Sequence, residues 1–281
     1  KEEITTYDIA TNLELGKFFP QNTGLKIPLH FDYGESVSNP QYNPLNPDID
    51  FKSDLKTYET KAERDSIKNL SQDYTRRKNI NFVNVRKIKT KKEQKIYLWS
   101  IENFDFTYAY SEIFHRSVDI EYDIKKTYKG AIGYNYTTNP KPVKPFSKSK
   151  FLKNYKGLAL ISDFNFFYKP KLLAFRTDMD RLYNENMLRN KSSALILMEP
   201  TYVKTFSWNR YYDLKYDFSQ SLNFDYHANV NSRIDEPPGK IDEKWEKDSI
   251  MSNIGRLGRK TSFDHTFNFN YNIPINKIPL F

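Results

Sequence analysis

The 281-residue chain contains no cysteine. This absence excludes a disulfide framework and any metal site built on thiolates. Long apolar runs are missing too: the mean hydropathy is −0.77, and no run approaches the ~20 apolar residues that a membrane-spanning helix needs. The first residue is Lys1, and no signal peptide precedes the first candidate strand. We therefore expect the sequence to be a segment of a longer polypeptide.

Recognisable catalytic and metal-binding motifs are also absent. Residues 255–260 lack the spacing of a phosphate-binding loop, and Asp48 and Asp50 lack the further ligands of a calcium loop. The histidines show neither an HExxH pattern nor a paired metal-ligand spacing. They are His30, His115, His227 and His265. We expect no enzyme activity, no cofactor and no metal.

The most informative feature that is present is an alternation of large aromatic with polar residues. It is clearest at 104–111 and at 263–273, and Tyr and Phe, 21 of each, are the main apolar residues. Successive side chains of a strand point to opposite faces, so each segment has one apolar and one polar face. Over many strands this pattern is typical of a transmembrane β-barrel, apolar toward lipid and polar toward a lumen. We predict an all-β fold of that kind.

The alternation assigns residues to the two faces. Carboxylates on the polar face could be paired for acid–base chemistry, but salt bridges across strands, for example to Lys125 or Arg176, explain them more simply. The residues predicted to face lipid or a partner are Phe104, Phe106, Tyr108, Tyr110, Phe267, Phe269 and Tyr271. Those predicted to face the lumen are Asp105, Asp119, Glu121, Asp213, Lys215 and Asp217.

About eleven strands are predicted from such segments. Pro28 removes a ladder donor from the second of them, which predicts a bulge or an edge there. A turn is expected at Gly130. The predicted strands are 7–15, 25–33, 80–85, 104–110, 118–125, 132–136, 158–168, 172–183, 202–218, 222–230 and 263–273.

The connections are expected to alternate between long and short. Long loops are predicted at 34–78, 138–156 and 234–261, and all fall on the same side when strands are counted along the chain. In an up-and-down barrel, long loops lie outside the cell and short turns in the periplasm. A short connection at 112–117 breaks this rule. The short turns are predicted near Gly16, 168–171, 219–221 and Pro274.

One stretch of the first long loop has a helical period. Thr60 and Glu63 form a capping box, and Ile67, Leu70 and Tyr74 recur at helical spacing. We predict a short helix at about 61–76. Three Asn-Pro steps between residues 39 and 47 predict rigid turns before it.

The net charge is +9, and the basic residues cluster at 86–92, 141–156 and 256–260. A nucleic-acid surface would place basic and aromatic residues on one face. Here they take opposite faces, so we expect no nucleic acid and instead solvated loops near anionic lipid.

Several blocks of the sequence are distinctive. They include LELGKFFP (13–20), 27–36, SNPQYNPLNPD (38–48), 60–65, 72–77, 81–86, 127–130, 134–140, 175–178, 199–202, 208–210 and 233–237. In collinear order over most of the chain, they closely resemble the SprA/Sov family, the outer-membrane translocon of the type IX secretion system.

The resemblance implies a segment of a single, very large transmembrane barrel in the cell outer membrane, which secretes folded proteins and serves gliding motility. It implies as partners the remainder of the barrel, a smaller PorV-like barrel at a lateral opening, a periplasmic plug protein, secreted cargo and outer-membrane lipid. The matching blocks look architectural, so no single functional residue is carried over.

Two other interpretations remain open from the residues. A TonB-dependent transporter barrel has similar strands, but a plug domain and an energy-coupling motif should precede it. A soluble, aromatic-rich β-domain that binds carbohydrate would also expose Tyr and Trp. Extraction from membranes distinguishes the soluble domain from both barrels.

Overall fold

The computed structural model describes residues 2–91, 93, 95–149, 159–190 and 198–273. Over these residues the chain is mostly antiparallel β-sheet with few helices, which confirms the all-β prediction. The strands are β1 (Glu2–Glu14), β2 (Leu25–Lys26), β3 (Pro28–Pro40), β4 (Tyr42–Asn43), β5 (Asn46–Asp50), β6 (Asp73–Lys87), β7 (Phe104–Arg116), β8 (Ile120–Thr137), β9 (Leu172–Leu188), β10 (Thr201–Asp217), β11 (Leu222–Arg233) and β12 (Arg259–Tyr271). The α-helices are α1 (Phe51–Leu55), α2 (Lys61–Ser71), α3 (Ala159–Ser162) and α4 (Lys244–Gly255). Short 3-10 helices occur at Leu15–Phe18, Gln21–Thr23 and Ile101–Asn103.

The long strands form one antiparallel meander. The sheet has ten strands, in the order β1-β3-β6-β7-β8-β9-β10-β11-β12, with β2 paired to β6, while β4 and β5 form a separate two-stranded sheet. Among the described strands, β1 and β12 are the edges, so this sheet is open. No described helix is long and apolar enough to cross a membrane.

The strands are staggered by nearly a whole strand length across the sheet. A row of directly paired residues that begins at Leu13, close to the end of β1, leaves the sheet at Lys260, close to the start of β12. This row runs Leu13, Leu29, Phe82, Tyr108, Gly130, Met179, Trp208, Ser232, Lys260. A stagger of one consistent sense tilts strands and is the geometry that lets a sheet curve toward closure.

Two strand predictions are wrong. The turn expected at Gly130 is absent, because Gly130 pairs with Tyr108 of β7 and with Met179 of β9 in an unbroken ladder. The two strands predicted at 118–125 and 132–136 are therefore the single strand β8. The strand predicted at 158–168 is also absent where the structure describes it: residues 159–162 are helical, and Phe166 makes only an isolated bridge to Val143.

These corrections move one long loop to the other end of the sheet. We name as the upper end the side of the connections 41–72, 117–119, 189–200 and 234–258, and as the lower end the side of 15–27, 88–103, 138–171 and 218–221. The loop predicted at 138–156 lies at the lower end, so the common side expected for the long loops is wrong. Its residues 150–156, and the turn predicted at Pro274, lie outside the described residues.

The first long connection is shorter than predicted. Strand β3 continues to Pro40 and β6 begins at Asp73, which leaves 41–72 instead of 34–78. The predicted helix is α2, and both bonds of the capping box between Thr60 and Glu63 are present. It ends at Ser71, five residues before the expected end at 76, because Tyr74 pairs with Val37 of β3 as part of β6.

A buried polar contact holds this connection together. The Asn43 amide donates to Asp54 at 2.6 Å, and the Ser71 hydroxyl donates to Asn43 at 3.2 Å. Phe51, only 1% exposed, lies at the start of α1. Asp50, considered above as a calcium ligand, accepts a bond from the Ser53 backbone and so caps this helix.

Candidate functional site

The strand register places the predicted lipid- or partner-facing residues on one face of the sheet. Phe104 is paired with Tyr134, and this row continues through Phe175 and Tyr212 to Ala228 and His265 of β11 and β12. Directly paired residues share a face, so β7 and β12 present their aromatic residues on the same side. We call this side the aromatic face and the other the polar face. All seven residues predicted for it lie on the aromatic face: Phe104, Phe106, Tyr108, Tyr110, Phe267, Phe269 and Tyr271.

Many aromatic side chains of this face are exposed on β7 and on the edge strand β12. Phe104 and Phe106 are exposed, whereas Asp105 between them is half-buried. On β12, Phe267, Phe269 and Tyr271 are 54%, 65% and 60% exposed. A water-soluble sheet buries its apolar face, so an exposed apolar patch of this extent indicates an interaction surface.

Ring contacts join the aromatic residues of this face into groups that lie along its lower part. Tyr226 lies 4.8 Å from Phe267 between ring centres, and Phe224 lies 4.7 Å from Phe269. The same contacts recur at Phe104–Tyr134 and Phe175–Tyr212. We call these groups together the aromatic band. It occupies the part of the aromatic face toward the lower end.

Toward the upper end the same face changes character. Three strands that run in the same direction carry a Tyr-x-Glu sequence: Tyr33 to Glu35, Tyr110 to Glu112 and Tyr183 to Glu185. In each, the tyrosine hydroxyl donates to the glutamate two residues further on. We call these residues the Tyr–Glu belt.

The belt is reinforced from neighbouring strands. Glu35 also accepts from the Tyr74 hydroxyl at 3.0 Å, and Glu185 accepts from the Tyr122 hydroxyl at 2.9 Å. Glu112 accepts from Arg76 at 3.3 Å. Glu35 and Glu185 lie in one register row, and Glu112 lies in the next row on that face. Sequence analysis missed this belt, although three Tyr-x-Glu repeats at strand spacing were a readable signal.

The polar face carries four of the six predicted lumen-facing residues. Asp105, Asp213, Lys215 and Asp217 lie on it by register. Two have a side-chain partner: Asp213 is hydrogen-bonded to His227 at 2.5 Å, and Asp217 forms an ion pair with Lys171.

The other two predicted lumen-facing residues lie elsewhere. Asp119 is in the connection between β7 and β8, where its carbonyl accepts from the Arg189 backbone at 2.9 Å. Glu121 sits at a register shift between Ile120 and Tyr122 and lies 3.0 Å from Arg189. The period of two fails at these positions because a bulge interrupts the alternation.

One three-strand contact, and a second row with the same Asp-Gly-Arg alignment, lie on the polar face. Asp8, Gly34 and Arg77 are aligned across β1, β3 and β6, and Arg77 donates to Asp8 at 3.1 Å over the glycine. Asp105 and Gly133 repeat the arrangement on β7 and β8, with Arg176 in register on β9. A Cβ at either glycine would overlap the aspartate carboxylate. Both glycines are required by this close approach and not by their backbone conformation.

The remaining ion pairs of the polar face mix both signs. Lys129 lies 3.2 Å from Asp180, and Arg176 lies 2.9 Å from Asp178.

Among the histidines, His30 bonds to Asn12 at 2.7 Å, and His265 packs against the rings of Phe263 and Phe267. Within the described ranges, no group of three acidic or histidine side chains could hold a metal ion.

Connection 234–258 covers the upper part of the aromatic face. Ile234 and Ile250 pack with Phe206 and Trp208 of β10 into a buried cluster. Because these two aromatic residues are covered, β10 is buried where β7 is exposed. The connection is also held by polar contacts: Arg181 donates to Glu236 at 2.6 Å, and buried Arg210 donates to Ser232 at 2.8 Å and to the Leu257 carbonyl at 3.4 Å.

An exposed ion pair joins Asp235, near the start of this connection, to Arg259, the first residue of β12. Arg259 donates to Asp235 at 2.9 Å, and this hydrogen bond holds the pKa of the Asp235 carboxyl below its ordinary value, although slight burial opposes the shift. At the N-terminus of α2, bonds from Thr60 lower the pKa of Glu63 in the same way.

One comparison with known proteins found a match, to part of the chain. Residues 1–55 match the family model SprA_N, described as a motility related/secretion protein. The match covers 55 of the 281 residues. It comprises β1 to β5 and α1, and therefore the edge of the sheet at β1. No curated protein matches the chain.

We predict that Gly34→Ala breaks the Asp8–Arg77 contact, because the new methyl group occupies the position of the Asp8 carboxylate. Gly130→Ala is the matched control, since a Cβ there meets nothing within 4 Å. Thermal unfolding of the purified protein should show a lower melting temperature for Gly34→Ala than for Gly130→Ala. Equal melting temperatures would contradict the structural role of Gly34.

We predict that Asp235→Asn lowers the melting temperature at neutral pH, and that this difference shrinks as the pH falls below the ordinary pKa of an aspartate carboxyl. A carboxyl with a depressed pKa adds stability above its unfolded-state pKa, and this is lost as pH falls through the folded value. The effect is expected to be small, because both partners are about half exposed or more and solvent screens such pairs. A difference between variant and wild type that is the same at neutral and at acidic pH would exclude this ion pair as the cause.

Proposed function

We propose that this chain forms part of the wall of an outer-membrane channel that exports folded proteins, as the translocon of the type IX secretion system does. The observation that carries the proposal is a staggered antiparallel meander with exposed aromatic residues on one face and ion-paired polar residues on the other. The finding that residues 1–55 match a motility- or secretion-related family supports the same assignment.

The aromatic face is proposed to meet lipid. Transfer of exposed Phe and Tyr side chains from water to hydrocarbon lowers their free energy, by about 25 cal/mol for each Å² of apolar surface removed from water. Outer-membrane barrels place an outward apolar band between girdles of aromatic residues. The Tyr–Glu belt is the proposed girdle toward the upper end, because tyrosine there keeps its ring against the apolar band and its hydroxyl on a carboxylate.

The polar face is proposed to line the lumen. A wall that passes many different folded proteins needs a hydrated surface of both signs, since an apolar or single-sign lumen would retain cargo. The pairs Asp8–Arg77, Lys129–Asp180 and Arg176–Asp178 leave such a surface locally balanced. Its residues show no convergent catalytic arrangement, so the proposed role is structural and not enzymatic.

One proposed partner follows from the edges of the sheet, and the others are those that the resemblance to the SprA/Sov family implies. The unpaired edges of β1 and β12 would pair with the remainder of the same very large barrel, since an edge in hydrocarbon leaves backbone groups unsatisfied. A smaller PorV-like barrel at a lateral opening, a periplasmic plug protein, secreted cargo and outer-membrane lipid are the further proposed partners. The upper end, with α1, α2 and α4, is proposed to be extracellular.

The face assignment can be tested with charges on the two faces of β7. Phe106→Arg, on the aromatic face of β7, should cost about 2–4 kcal/mol if it lies near mid-membrane. Ser111→Arg places the same charge on the polar face of β7, where its paired neighbours are the uncharged Asn79 and Thr127, and should cost little. Assembly is measured as the folded, heat-modifiable fraction in outer-membrane preparations. Equal losses at both positions would refute the assignment.

The orientation can be tested with single cysteines in this cysteine-free chain. Ser66 lies on α2 at the upper end, Gln220 lies between β10 and β11 at the lower end, and both are exposed. An impermeant thiol label on intact cells should modify Ser66→Cys and not Gln220→Cys. Permeabilised cells, in which both should react, provide the control. The opposite pattern would invert the topology, and labelling of neither in permeabilised cells would remove the outer-membrane proposal.

A further inference from the structure

A pocket of 490 Å³ lies where connection 234–258 meets the upper part of the aromatic face. Its volume is within the range of small-ligand sites. One side is formed by the sheet, through Lys126, Tyr128 and Arg181, and the other by the connection and α4. The Tyr–Glu belt contributes Tyr183 and Glu185 to its wall.

The inner wall of the pocket is apolar. Phe206 and Ile250 belong to the buried cluster under α4, and Ile241 and Ile254 pack against the same cluster. Met251 continues this apolar wall outward and is 64% exposed. The pocket therefore offers a continuous apolar path from the cluster to the surface.

The rim of the pocket is cationic. Lys126, Arg181, Lys240 and Lys247 line it, and Glu185 is the one carboxylate in the lining over the residues that the structure describes. Glu185 already accepts bonds from two tyrosines. Arg181 is paired with Glu236, and Lys240 lies 3.3 Å from Asp242.

Two of these cations are available to a ligand. Lys247 donates to the backbone carbonyl of Asp242 at 2.7 Å. Lys126 lies opposite Glu112 in the ladder between β7 and β8, but neither lysine has a carboxylate within ion-pair distance in the described part of the chain. Two such lysines on opposite sides of an apolar pocket complement an anion that carries an apolar chain.

We propose that this pocket binds a lipid whose phosphate headgroup has a net negative charge. The phosphate would be held between Lys126 and Lys247, and an acyl chain would lie along Ile241, Ile250 and Met251. The proposal rests on the proposed function for its position, because the Tyr–Glu belt then sets the pocket at the level of the lipid headgroups. Basic pockets beside membrane-embedded surfaces bind anionic headgroups in this way.

The test is lipid retention by the full-length purified protein in detergent, measured by native mass spectrometry. The probes are phosphatidylglycerol, phosphatidylcholine and inorganic phosphate, added separately. We expect retention of phosphatidylglycerol, and the double variant Lys126→Gln/Lys247→Gln should weaken it by about tenfold or more. The matched control is Lys125→Gln/Lys244→Gln, which removes two neighbouring charges outside the pocket lining and should leave retention unchanged.

Met251→Gln tests the contribution of the apolar wall to lipid binding. It should weaken retention of phosphatidylglycerol without changing the amount of folded protein, because Met251 is largely exposed. Equal retention of phosphatidylcholine and phosphatidylglycerol, equal losses in both double variants, or inorganic phosphate that displaces the lipid at the same concentration would each overturn the proposal. Lipid retention is measured independently of secretion and of membrane topology. If the protein retains no lipid while Phe106→Arg still impairs assembly, the lipid site is rejected and the proposed function is not.

Discussion

The antiparallel ladder between neighbouring strands determines how every other feature of this structure is placed. Each directly paired residue shares a face with its partner, so one register fixes two surfaces over the whole sheet. A register slip of one residue in any strand would move its aromatic side chains to the polar face and its polar side chains to the aromatic face. The Asp8–Gly34–Arg77 contact fits this requirement, because it ties three strands together at one row on the polar face. Asp105 approaches Gly133 in the same way between two strands.

The aromatic face is divided along the strands and not only between them. Toward the lower end it is an exposed band of rings; toward the upper end it carries glutamates bonded to tyrosine hydroxyls and to Arg76. Connection 234–258 covers β10 at that end with an apolar cluster and anchors it through Arg181 and Arg210. A polar boundary beside an apolar band matches the environment at the edge of a bilayer, which is why the membrane proposal and the lipid pocket depend on the same residues.

Local chemistry made several elements predictable. The start of α2 followed from Thr60 and Glu63, because a capping box depends on residues three apart. The faces of β7 and β12 followed from a period of two. The end of α2 did not follow, since Tyr74 fits a helical spacing but pairs with Val37, a residue far away in sequence. Residues 158–168 also alternate, yet alternation without a neighbouring strand to pair with does not form a sheet.

Sequence alone thus determined the fold class, the aromatic and polar faces of individual strands and the absence of thiol chemistry, because each depends on residues close together in the chain. Tertiary structure decided the register between strands, and with it the stagger, the Tyr–Glu belt and the position of Glu121 at a bulge. It also decided that Gly130 lies within a strand, which moved loop 138–156 to the lower end. Those features arise from hydrogen bonds and contacts between residues distant in sequence, and local periodicity does not encode which distant partner each strand finds.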